Sequence, residues 1–157
     1  MKISTSGQKH IQRFEDLRIN AYPGSNGLWH IGYGSTHWLD GRRVKEGDKL
    51  KNQQEALDLL EYSLRSPVRY INTHVNVFLT QNQFDILVSL AYNVKGINLK
   101  KSGILEALND RNYDYAAMLI TSDFLCDPKI SKHTAGCRKP DQLIARRNRE
   151  QEIFMML

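Results

Sequence analysis

Glu15 stands just before a segment dense in glycine and aromatic residues, 21-AYPGSNGLWHIGYGST-36, which carries one histidine, His30. A carboxylic acid and an imidazole are well suited to moving protons near neutral pH. Glutamate reaches far, and burial raises its pKa toward the working range. Three aspartates lie nearby: Asp16, Asp40 and Asp48. Neighbours on a helix point about 100° apart, so Asp16 is not expected to share a space with Glu15. Asp40 and Asp48 remain open as second carboxylates. Cys126, His133 and Cys137 match no standard zinc spacing and lack an obvious fourth ligand. No metal and no cofactor are expected. Two inert thiols are the expected state of the cysteines, with a disulfide as the alternative.

These groups need elements to position them. Residues 6–17 read as a short helix with Ile11 and Phe14 on its apolar side, placing Glu15 near its C-terminal end. The helix dipole offers a carboxylate no support there. Residues 20–50 read as short strands joined by turns at Pro23-Gly24, Asn26-Gly27, Asp40-Gly41 and Gly47-Asp48. Helical signals follow. Asn52 with Glu55 forms a possible capping box. Ser66-Pro67 restarts a helix, so residues 52–75 are expected to form two helices. Thr80 with Gln83 caps the most apolar helix, 84-FDILVSLAYNV-94, which is expected at the buried centre. Shorter helices are expected near 102–109 and 112–120. The chain closes with 142-QLIARRNREQEIFMML-157, a basic and then apolar helix.

Bulk properties bound the class. The 157 residues suit one domain, with 41% hydrophobic and 25% charged residues. No run approaches the length of a membrane-spanning helix. The first ten residues lack the apolar core of a signal peptide. Synthesis in the cytoplasm is therefore expected. The formal charge of +5 favours anionic partners such as nucleic acid, a membrane surface or an anionic wall polymer.

Three stretches together resemble the phage-type lysozyme family, glycoside hydrolase family 24. They are 15-EDLRINAYPGSNGLWHIGYGST-36, 79-LTQNQFDILVSLAYNVKG-96 and 143-LIARRNREQEIF-154. Their order and spacing agree over about residues 8–157. The resemblance implies an α+β, lysozyme-like fold: a small β lobe at about 13–50 packed on a larger helical lobe, with a cleft between them. The whole chain would be one such domain. It also implies cleavage of the β-1,4 bond between N-acetylmuramic acid and N-acetylglucosamine. The family glutamate falls on Glu15, its aspartate on Gly24 and its threonine on His30.

Glycoside cleavage usually needs an acid at the leaving oxygen and a second group that activates water or attacks the sugar. Glu15 is the natural acid. Gly24 has no side chain, so the second role passes to His30 as base or nucleophile. The alternative for His30 is to cap a turn or orient Glu15. Strand alternation puts Trp29, Ile31 and Tyr33 inward and His30 toward the cleft. Ser25 and Asn26 offer polar atoms that could hold a water. Tyr22 and Tyr33 are candidate glycan contacts. Arg146 and Arg147 could hold a carboxylate or simply solvate a helix, and the resemblance implies that this region shapes the fold or the rear of the cleft.

Two other functions compete with hydrolysis. One is a lysozyme-like protein that binds a glycan or protein without cleaving it. The other is a nucleic-acid binder, supported only by charge and 145-ARRNRE-150, with no recognised motif. The expected partner is peptidoglycan or a related wall glycan, reached in the periplasm or at the wall with help from a release or secretion partner. A monomer is expected.

Overall fold

The structure is a computed structural model that describes residues 1–24, 27–122, 124–125 and 140–156. Helix α1 (Thr5–Phe14) begins at Ser4, whose hydroxyl accepts from the Gly7 N–H at 3.0 Å. Asp85 accepts from the Ser4 N–H at 2.9 Å and from the Ser4 hydroxyl, tying the start of α1 to the centre of the molecule. The helix ends at Phe14, and Glu15 turns to an extended conformation.

Strands β1 (Arg18–Pro23) and β2 (Trp29–Gly32) pair antiparallel, with Tyr22 opposite His30. Residues 48–50 line the other side of β1 through Ala21 N–H to Asp48 O and Leu50 N–H to Ile19 O, both 2.9 Å. Gly41 and Gly47, each at φ 83°, supply the left-handed residues that the two later turns require. This small lobe is the sheet part expected from sequence.

Helix α2 (Gln53–His74) is continuous through Pro67, which corrects the expectation of two helices. Proline removes one backbone donor, at a cost of about 3 kcal/mol. Leu59, Leu60, Leu64 and Ile71 are fully buried on one stripe that stays in phase across Pro67. Each such side chain contributes about 1.5–3 kcal/mol on burial, so the stripe outweighs the proline. Asn52 caps α2 by accepting from Glu55 N–H, while the Glu55 carboxylate accepts from Lys51 N–H instead of closing a box.

Helix α3 (Gln81–Val94) has the expected Thr80–Gln83 capping box and is buried along most of its length. Helices α1, α2 and α4 (Gly96–Lys101) pack against it. Helix α4 was not foreseen. Helices α5 (Ile104–Asn109) and α6 (Tyr113–Ile120) form a pair, and α7 (Pro140–Met155) packs on both α3 and α6. The result is an α+β fold with α3 at the centre of the helical lobe.

Candidate active site

Glu15 is 1% exposed. The extended backbone at the end of α1 directs its carboxylate to α7, where Arg146 Nη1 donates to Oε1 at 2.8 Å. Burial raises the Glu15 pKa, and the charge and hydrogen bond of Arg146 hold part of that rise back. The outcome is a pKa of about 7. At neutral pH this carboxyl group is poised between acid and carboxylate, as a general acid requires.

Arg146 and Arg147 are fully buried, so a surface role for the pair is excluded. Arg146 Nε donates to Glu150 at 3.0 Å and its Nη2 to the Ser89 hydroxyl at 3.2 Å. Arg147 donates to Glu150, to Asn93 and, at 3.0 Å, to the Leu125 carbonyl. Arg146 thus bridges the buried Glu150 on its own helix to Glu15 at the end of α1.

His30 is 2% exposed, which corrects the expectation that it faces the cleft. Alternation along β2 assumes one open face, whereas both faces are covered here. Tyr22 stacks on His30, with ring centres 5.6 Å apart and planes 25° apart. The Arg18 guanidinium also lies over the Tyr22 ring, 5.5 Å from its centre. His30 Nδ1 lies 3.1 Å from the Gly34 carbonyl. A carbonyl only accepts, so Nδ1 carries the proton and Nε2 is the accepting nitrogen of the neutral ring. Burial lowers the His30 pKa below 6.5, the Gly34 bond opposes this, and the charge of Lys95 adds to the fall. The ring is neutral at pH 7.

Tyr33 is 4% exposed and packs in the core, so its ring is not at the surface of the cleft. Its phenol accepts from Gln53 at 3.2 Å. Asp48 is occupied: Trp38 donates at 2.9 Å, Lys45 N–H at 3.1 Å and Arg42 at 2.8 Å. These bonds, led by Trp38, hold its pKa at about 2. Asp40 accepts from Arg42 N–H in a turn, and Asp16 is exposed. Gly24 closes the hairpin through its N–H to Leu28 O at 2.7 Å. Ser25, Asn26, Cys126, His133 and Cys137 lie outside the described residues. Among the described residues, no three His, Cys, Asp or Glu converge as metal ligands.

A cleft of about 730 Å³ runs between the lobes. Ser35, Thr36 and His37 form one wall. Tyr62, Ser66 and Tyr70, spaced four apart on α2, form another, and Tyr92, Lys95 and Gly96 close the end. None of the described lining residues is acidic. Tyr92 lines the cleft and lies within electrostatic reach of Glu15. Its phenol donates to the Tyr33 carbonyl at 2.7 Å, and burial followed by the charge of Glu15 raises its pKa. This wall carries no local sequence signal. The stripe Tyr62–Ser66–Tyr70 is visible only when α2 is read as one helix.

The phage lysozyme family model matches residues 12–150. The chain belongs to the phage lysozyme family. The endolysin of Salmonella phage P22 is 35% identical over 155 residues, covering 99% of both chains. Among solved structures, the muramidase domain of SpmX from Asticaccaulis excentricus is 32% identical with a TM-score of 0.82, covering 99% of both chains. The endolysin of Escherichia coli O157:H7 phage FAHEc1 also has a TM-score of 0.82, at 29% identity, covering 99% of this chain and 94% of that one. The lysozyme-like fold and the family implied by the sequence motifs are therefore established.

Proposed function

We propose that this chain is a peptidoglycan-cleaving lysozyme in which Glu15 is the general acid. The observation that carries this is the buried Glu15 carboxyl at the end of α1, held by Arg146 at 2.8 Å at the position where the family glutamate falls. Glu15 protonates the leaving oxygen of the β-1,4 bond between N-acetylmuramic acid and N-acetylglucosamine. Gly24 takes the position of the family aspartate and His30 that of its threonine. Among the described residues no acid lines the cleft, so His30 is the remaining base, and a water reaches its buried ring only once the Tyr22 ring moves aside. Tyr22 positions the imidazole. A base in this role inverts the anomeric centre. The protein acts at the wall as a monomer, delivered by a release or secretion partner.

A second function, glycan binding without hydrolysis, draws on the missing carboxylate at Gly24 and the burial of His30. Purified peptidoglycan digested with wild type, Glu15→Gln and His30→Thr separates the two. Muropeptides from wild type, reduced about 10²–10⁴-fold in Glu15→Gln, support hydrolysis. Saturable wall binding with no muropeptides from any of the three supports the binding protein. A fully active His30→Thr would remove His30 from the chemistry.

A further inference from the structure

Two described residues other than glycine have positive φ, Lys95 and Arg111. Lys95, at φ 66° and ψ 150°, occupies a backbone region that is essentially reserved for glycine. The surroundings hold it there. Asn98 Nδ2 donates to the Val94 carbonyl at 2.8 Å, and the Lys95 carbonyl accepts from the Asn98 and Leu99 N–H groups, each at 3.1 Å. The following residue is a glycine for a different reason: a Cβ on Gly96 would meet the Tyr70 ring at 2.7 Å. A lysine where glycine would relax the backbone points to a use for its side chain. That side chain lines the cleft, whose described walls carry no acidic residue. Lys95 forms no ion pair among the described residues.

We infer that Lys95 sets specificity in the cleft by receiving a carboxylate carried on the muramic acid unit of the substrate. This rests on the proposed peptidoglycan activity and deepens it. The carboxylate belongs either to the lactyl arm of a peptide-free strand or to an attached peptide. A neutral chitin oligomer has neither and gains nothing from Lys95.

Binding is measured in the Glu15→Gln background, so that no turnover intervenes, with chitin oligomers, peptide-free glycan strands and intact muropeptides. Lys95→Gly and Lys95→Gln weaken binding of an anionic glycan about fivefold to tenfold and leave the chitin oligomer within about twofold. Weakening of both anionic glycans assigns the lactyl carboxylate, and weakening of muropeptides alone assigns the peptide. Lys95→Arg retains the preference. Lys95→Gly also raises the unfolding temperature by about 2–6 °C, and Lys95→Gln does not. Equal effects on neutral and anionic glycans, or none on either, overturn the assignment. A lower melting temperature for Lys95→Gly overturns the strain on which it stands. A wild type that binds all three glycans but cleaves no wall preparation overturns the proposed activity and leaves the Lys95 result to be read from binding. Failure to bind any of the three overturns both.

Discussion

Glu15 and Glu150 are two buried carboxylates that share one arginine, yet their acidities diverge. Glu15 receives Arg146 Nη1 and is pushed up to about 7. At Glu150 burial also pushes upward, but the charges of Arg147 and Arg146 overcome it, and the pKa falls well below the usual carboxylate range. Glu150 accepts from Arg146, from Arg147 and from the Ser89 hydroxyl at 2.7 Å, and His10 lies 3.7 Å away. The same desolvation thus yields a poised acid or a fixed anion, depending on how many donors compensate it. The anion in turn anchors the arginine that steadies the acid.

The strongest way to break this comparison is Glu150→Ala, which leaves Arg146 and Arg147 buried without their shared anion. Urea unfolding should show a loss of about 3–5 kcal/mol. Unchanged stability would mean that the pair is not paid for by Glu150.

The next effect separates the two carboxylates by the sign of their pH dependence. The folded pKa of Glu15 is raised, so its stabilising contribution is full below the unfolded value near 4.5. It is lost as pH rises through about 7. Over that window wild type should lose about 3 kcal/mol relative to Glu15→Gln. The folded pKa of Glu150 is depressed, so its contribution is present above the unfolded value and is lost as pH falls. Unfolding free energies of wild type and Glu15→Gln at pH 5 and pH 8 test the Glu15 half of this contrast, and parallel profiles would refute the raised acid.

A smaller effect belongs to Ser89→Ala. It removes one donor to Glu150 and one acceptor from Arg146, at a cost of about 1–2 kcal/mol. Cleavage at pH 6 should stay within about twofold of wild type. A large loss of activity at full stability would place Ser89 in the acid's own environment.

Local chemistry was legible where neighbours in sequence are neighbours in space. The Thr80–Gln83 cap, the apolar run of α3 and the glycine turns of the small lobe all act within a few residues. Pro67 misled because the stripe that carries α2 through it is a packing effect against α3, not a local preference. The burial of His30 also escaped alternation, because Tyr22 from the paired strand covers the face expected to be open. Helix α4 went unforeseen, since its start depends on Lys95 adopting a backbone that lysine rarely takes.

By itself the sequence determined the family motifs, the presence of Glu15, and a residue without a side chain at position 24. These are matters of residue type and order. Tertiary structure alone decided what Glu15 is. Its acidity follows from exclusion of water and from an arginine 131 positions along the chain, and neither exists until α1 and α7 close on α3.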